Sequence, residues 1–138
     1  MSPKDKKKVP GSPDEWMIHA ESDLKLARLA VMDASIRREQ VCFHAQQAVE
    51  KAIKAVLISR GIEFPLTHDI EELLEIAESS GIPLPEDIRE SGFLSPYAVE
   101  TRYPGYWAEI SEADVDEAMR TAERTLSWAN SMIKKTKE

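Results

Sequence analysis

The clearest pattern in the chain is a broad band of apolar and small side chains between Val41 and Gly61. Two rows make up the band: Val41, Ala45, Ala48, Ala52 and Val56, and beside it Cys42, Val49, Ile53 and Leu57. Offsets of three and four residues place both rows on one wide helical face. No Pro or internal Gly interrupts the run, and Gly61 suits a left-handed C-terminal cap. The pattern predicts a central helix that other helices contact on more than one side.

Two further stripes predict a long helix at each end of the chain. Ser12, Pro13 and Glu15 are typical of a helix start, because Ser caps, Pro suits the first helical position and Glu completes a capping box. This helix is predicted over 13–34, and the last helix over 111–135 with Ser111 as its cap. The first stripe consists of Trp16, Ala20, Leu24, Ala27, Val31 and Ala34. The last one consists of Val115, Ala118, Ala122, Leu126, Ala129 and Ile133.

The stretch between the central and last helices is rich in Pro and Gly and predicts short elements. We expect short helices over about 69–79, 85–91 and 95–102, with Gly81 closing the first of them. No stretch of useful length alternates apolar and polar residues as a β-strand would. The sum is an all-α fold, a compact helical bundle of three long and about two short helices. Residues 1–11 are predicted to be a flexible leader and 12–135 a single domain.

Composition narrows the class of protein. The 138 residues carry a net charge of −7, which argues against a surface that coats nucleic acid. No apolar run approaches the length of a membrane span, and the pattern favours a cytoplasmic protein. The single Cys42 lies on the apolar face of the central helix, where a small buried hydrophobe is expected. The three His residues are dispersed, so neither a metal site nor a cofactor is predicted.

The central helix also carries a polar stripe of His44, Gln47 and Lys51, whose offsets of three and four place them on one face. Polar side chains on an otherwise buried helix need hydrogen-bond partners. Two interpretations remain open. The stripe forms internal hydrogen bonds to a neighbouring helix, or it lines a subunit contact or a ligand groove.

His68 and Arg60 flank the turn that follows the central helix. His68 precedes a predicted helix start, where it either joins a structural cap with Thr67 and Asp69 or sits beside exposed amides that could bind phosphate. Arg60 ends the central helix, where it interacts favourably with the helix dipole and could do only that.

Arg102 is the basic residue with the most suggestive surroundings, since Tyr97, Tyr103, Tyr106 and Trp107 are close in sequence. An Arg among aromatic rings can stack on a base or clamp a phosphate. It can equally form a buried ion pair, and the aromatic residues also suit a dimer contact.

The segments FHAQQAVEKAIKAVLISRGIEFPLTHDIEELL and YAVETRYPG together resemble the HEPN family, the higher eukaryote and prokaryote nucleotide-binding domain. The resemblance covers roughly 15–133. It implies a helical bundle that pairs as a homodimer, often beside a minimal nucleotidyltransferase in a toxin–antitoxin-like pair. With it, we expect a nucleotide- or partner-binding groove near Arg102, Tyr103, His44 and Lys51.

The resemblance also implies an alternative function, that of a metal-independent ribonuclease. The family signature for this activity is an Arg followed by a His four to six residues later, near the start of the last long helix. Here YPGYWAEI follows Arg102 and contains no His, and seven residues separate Arg60 from His68. The signature is therefore not intact. An atypical ribonuclease that uses His68 with Arg60 or Arg102 remains the alternative, and RNA a second candidate ligand.

Overall fold

The computed structural model describes residues 11–98 and 109–137. These residues form five α-helices and one 3-10 helix, and none of them lies in a β-strand. The α-helices are α1 (Pro13–Val31), α2 (Arg38–Ser59), α3 (Ile70–Ser79), α4 (Glu86–Arg89) and α5 (Glu112–Lys137), with the 3-10 helix (Glu90–Ala98) between α4 and α5. The predicted all-α bundle with three long helices is confirmed.

Side-chain caps fix the helix starts, as the sequence predicts. The Ser12 hydroxyl accepts from the Glu15 amide at 3.1 Å, and the Glu15 carboxylate accepts from the Ser12 amide at 3.2 Å. Ser111 and Asp114 repeat this reciprocal arrangement before α5, with distances of 3.1 and 2.9 Å. Each capping box satisfies amide groups that have no partner inside the helix.

Glycines in the left-handed region end α2 and α3. Gly61 has a φ of 68° and Gly81 a φ of 87°. After α2, the amide of Ile62 donates to the carbonyl of Leu57 at 3.0 Å, and the Gly61 amide donates to Ile58 at 3.0 Å. This is the Schellman pattern, which needs a positive φ at the glycine. The predicted cap at Gly61 is confirmed.

The connection between α1 and α2 corrects one prediction. The first helix ends at Val31 rather than near Ala34, and the last buried residue of the predicted stripe is Ala27. Val31 and Ala34 are exposed, and Ala30 is buried in their place. The Asp33 carboxylate accepts from the amide and hydroxyl of Ser35 at 2.9 and 2.6 Å. Such local side-chain bonds favour a turn over a further helical turn. The central helix accordingly starts earlier than predicted, at Arg38.

The region after α3 also differs from its prediction. The helix predicted over 85–91 is only Glu86–Arg89, and the chain then continues as a 3-10 helix that contains Pro96. Pro cannot donate a backbone hydrogen bond, which disfavours a regular α-helix there. The helix predicted over 95–102 is 3-10 as far as Ala98, and its remainder lies outside the described residues.

The central position of α2 is confirmed by its packing. It contacts α1, α5, α3 and the 3-10 helix, and every residue of the two predicted apolar rows is buried. Wide burial of this kind is what a helix with a broad apolar face requires. The same packing encloses the polar side chains of Gln46, Glu50 and Lys54 of α2. None of the described helices is long and apolar enough to cross a membrane.

Candidate functional site

The polar residues of α2 form two clusters, and the first is centred on Asp23 of α1. One carboxylate oxygen of Asp23 lies 3.1 Å from His44 Nδ1, and the other accepts from Lys51 Nζ at 2.6 Å. All three side chains are partly buried. We call this the Asp23 cluster. The internal interpretation of the polar stripe is confirmed for His44 and Lys51, because both bond a neighbouring helix.

The second cluster, the Glu50 cluster, consists of Gln46, Glu50, Lys54 and His68. The Glu50 carboxylate accepts from Gln46 Nε2 at 3.0 Å and from Lys54 Nζ at 2.9 Å. His68 Nδ1 lies 3.1 and 3.2 Å from its two oxygens. Three donors thus converge on one carboxylate. Gln46 also donates to the His68 carbonyl at 3.4 Å, so the cluster ties the turn before α3 to α2.

The ion pair in this cluster is buried. The side chains of Glu50 and Lys54 are 4% and 8% exposed. Aromatic rings flank the ammonium, with Nζ 5.8 Å from the Trp16 ring centroid and 5.9 Å from that of Phe64. A buried charge is tolerated only with a partner and hydrogen bonds, and the rings add cation–π attraction. Both buried charges of the Glu50 cluster therefore have an oppositely charged partner within hydrogen-bond distance.

His68 is the chemically interesting member, because its ring is 69% exposed while the carboxylate that holds it is buried. A carboxylate at Nδ1 fixes the ring orientation and favours the tautomer that carries a proton on that nitrogen. Nε2 is then the nitrogen that remains for an outside group. This arrangement suits a general base or acid for a ribose hydroxyl. It differs from both predicted surroundings of His68, since the ring bonds α2, while the Thr67 hydroxyl accepts from the Asp69 amide at 3.0 Å.

Gln47, the remaining member of the predicted polar stripe, bonds the Glu50 cluster. Its side-chain amide donates to Gln46 Oε1 at 2.6 Å, across one position of the helix. A pocket of about 270 Å³ lies at the Asp23 cluster, lined by Gly11, Glu15, Trp16, His19 and Lys51. Lys51 in the Asp23 cluster and His68 in the Glu50 cluster therefore have access to the surface.

The remaining predicted site residues lie elsewhere. Arg60 caps α2 and donates from Nε to the Thr136 hydroxyl of α5 at 3.0 Å, so the structure pairs it with α5 rather than with the Glu50 cluster. Arg102 and Tyr103 lie outside the described residues. The described chain before them is anchored, since Ser95 Oγ accepts from the Ile70 amide at 2.8 Å.

Cys42 lies one turn before Gln46 on α2 and is fully buried. Burial raises the pKa of its thiol to about 12, against a smaller opposite effect of a hydrogen bond with Tyr97. Burial likewise raises the pKa of Tyr97 to about 12. The thiol is therefore unreactive near neutral pH, as expected for a packed hydrophobe. Within 11–98 and 109–137, no three His, Cys, Asp or Glu side chains come together in a way that could hold a metal ion.

Sequence reasoning missed Asp23, Gln46, Glu50 and Lys54. A signal for the last three existed, because they recur every four residues and so form one stripe of α2. A helix that is packed on several sides leaves little of its surface to solvent, so a stripe on one of those sides is expected to be buried. The role of Asp23 had no local signal, since it lies 21 residues before His44 and on another helix.

Comparisons with known proteins agree with this architecture. The family model for the HEPN domain matches residues 13–132. The relative named "Putative toxin MJ1304", from Methanocaldococcus jannaschii, is 30% identical over 129 residues, which cover 83% of this chain and 84% of that protein. The crystal structure of ST0689, an archaeal HEPN homologue, superimposes with a TM-score of 0.70 at 30% identity, over 90% of this chain and 99% of that one. TT1696 from Thermus thermophilus gives a TM-score of 0.73 at 25% identity, over 87% and 97%.

Proposed function

Since the chain belongs to the HEPN domain family, we propose that it is one component of a toxin–antitoxin-like pair whose other member is a minimal nucleotidyltransferase. The observation that carries this proposal is the similarity to a protein named as a toxin, which extends over more than four fifths of both chains. In the proposal, residues 12–135 form a single domain that acts as a cytoplasmic homodimer.

The proposed contact surface for the partner, or for a nucleotide, includes Arg102 and Tyr103 together with the Asp23 cluster. Lys51 and His44 already share Asp23, so a phosphate would have to compete with that carboxylate. Both side chains are only partly buried, and Lys51 lines a pocket. A ligand anion therefore has access to the ammonium, while Asp23 keeps the cation in place when the groove is empty.

Co-expression with the nucleotidyltransferase encoded beside this chain tests the proposal. We expect the chain alone to slow growth, the partner to relieve that effect, and the two proteins to elute together with a mass that contains two copies of this chain. Arg102→Ala should weaken the complex, whereas the control Arg124→Ala on the exposed side of α5 should not. A partner that neither binds nor restores growth would overturn the proposal.

The Glu50 cluster favours a second candidate function, an atypical metal-independent ribonuclease. A buried carboxylate that fixes an exposed imidazole is a suitable positioning arrangement for acid–base chemistry. An Arg would stabilise the phosphate charge, supplied by Arg102 or Arg60, with His68 contributed across the dimer.

The test of this candidate is RNA cleavage in the presence of a chelator. His68→Ala should abolish cleavage and leave the helical circular dichroism unchanged, while the control Ser127→Ala on the exposed side of α5 should cleave normally. Equal cleavage by His68→Ala and the unmodified protein would rule out His68 as the catalytic residue.

A further inference from the structure

The outer face of α1 carries an unusual concentration of exposed apolar side chains. Of the eight large hydrophobic residues that are exposed among the described residues, six lie between Ile18 and Ile36. Four of them form what we call the α1 ridge: Ile18 (65% exposed), Leu26 (47%), Leu29 (59%) and Met32 (84%). Leu26, Leu29 and Met32 follow one another at offsets of three, whereas Ser22 and Lys25 separate Ile18 from Leu29. A group of exposed apolar side chains of this kind marks interaction sites in folded proteins.

Helical geometry places the α1 ridge on one face. Successive residues are about 100° apart around an α-helix, so Leu29 lies about 20° from Ile18. Measured from Ile18, Met32 lies about 40° to one side and Leu26 about 80° to the other. Met32 keeps helical backbone angles as the C-cap of α1. The buried residues Met17, Ala20, Leu24 and Ala27 lie on the opposite side, against the bundle. The ridge therefore points away from the core and has no partner within the described chain.

We propose that the α1 ridge is the surface through which two copies of this chain pair, with the two α1 helices antiparallel about a twofold axis near residues 25 and 26. The inference deepens the homodimer of the proposed function and rests on it. With the axis in this position, Leu26 and Lys25 both lie level with their counterparts in the partner, to within one residue. Ile18 then lies level with the partner's Met32, so that apolar groups meet at both ends and, on the Leu26 side of the ridge, at the centre.

The charges on the ridge support a second copy over a different protein. Lys25 lies within the ridge, about 20° from Ile18, and Glu21 lies one turn before it at the edge that faces α5, where its carboxylate accepts from Asn130 Nδ2 at 3.3 Å. In the antiparallel arrangement each Lys25 lies within side-chain reach of the partner's Glu21, which gives two equivalent interchain ion pairs. A self-complementary pattern is what an isologous interface requires. A membrane surface is a poor alternative, because the ridge is bordered by Glu21 and Asp33 and the chain is acidic overall.

The extent of the surface is also suitable. An α-helix of 19 residues is about 28 Å long. Val31 and Ile36 extend the exposed apolar surface beyond its C-terminal end. These flanks add to the area of the helix pair, and a stable interface buries roughly 800 Å² per partner.

Mass measurements in solution over a dilution series test the inference. Leu26→Lys would place two ammonium groups across the axis, and we expect the dimer dissociation constant to rise about tenfold or more. Leu66→Lys is the matched control, because Leu66 is 76% exposed but lies in the turn before α3. This control should pair as the unmodified protein does.

A charge exchange gives a readout that a merely structural role would not produce. Glu21→Lys and Lys25→Glu should each weaken the dimer, and the double exchange should restore it. An unmodified dimer that is unaffected by Leu26→Lys, or a double exchange that fails to restore pairing, would overturn the assignment of the ridge and leave the proposed homodimer standing. A monomer at every concentration would overturn both.

Discussion

Replacing Lys54 by Met tests how strongly the Glu50 cluster stabilises the fold. Met is apolar and of similar length, so the change removes the ammonium without opening a large cavity. Glu50 would remain buried with Gln46 and His68 as its donors. Breaking a buried ion pair by removing one partner costs about 3–5 kcal/mol, because the other charge stays buried and unpaired. Because Glu50 keeps two hydrogen-bond donors, we expect the free energy of unfolding to fall by about 3 kcal/mol, at the lower end of this range.

Urea denaturation monitored by circular dichroism measures this change in the free energy of unfolding. In thermal denaturation the melting temperature should fall by about 10 °C. The double variant Glu50→Gln/Lys54→Met should lose much less than the sum of the two single variants, because no buried charge remains. The control is Arg28→Met, which breaks the half-exposed Arg28–Glu123 pair of 3.2 Å. It should lose less than about 1 kcal/mol. A loss below about 1 kcal/mol for Lys54→Met, or strictly additive single variants, would refute the reasoning.

Three further predictions concern individual residues. Because burial raises the pKa of the Cys42 thiol to about 12, folded protein at pH 8 should resist iodoacetamide that modifies the urea-unfolded chain. The fold favours the neutral thiol, so this contribution is complete below the ordinary pKa of 9.0 and is lost as the pH rises toward 12. Urea titrations at two alkaline pH values measure the decline, and an unchanged stability would contradict it. Gly61→Ala should cost about 1 kcal/mol, since φ is positive there, and Gly61→Asn less; equal losses would argue against a conformational cause. Ser12→Ala removes one bond of the α1 capping box and should cost about 1 kcal/mol in the same assay, and no loss would show that the cap is dispensable.

The helix starts and ends could be predicted because their determinants are local. Ser12 lies three residues from its capping partner, and Gly61 acts through its own backbone angle. The end of the α1 stripe could not be placed as well. Val31 fits helical spacing as well as Ala30 does, and only the packing of α1 on the bundle selects Ala30 for burial.

The site was less accessible to sequence reasoning because its bonds join distant parts of the chain. The sequence singled out His44, Lys51 and His68 as candidate site residues, but their partners depend on how the helices pack. Asp23 reaches Lys51 across 28 positions, and His68 reaches Glu50 across 18. The roles of Arg102 and Tyr103 stay predictions.

The anchors on either side of residues 99–108 have a consequence for how the protein can change. Before this stretch, Ser95 is bonded to the start of α3. After it, the Ile110 carbonyl accepts from Arg38 at 2.9 Å, and Ser111 caps α5. The bundle therefore fixes both ends of the stretch by contacts that do not involve it. A substitution within 99–108 therefore leaves these anchoring bonds in place, because their donors and acceptors lie outside that range. Arg38 and Ser95 can hold the two ends while the sequence between them varies.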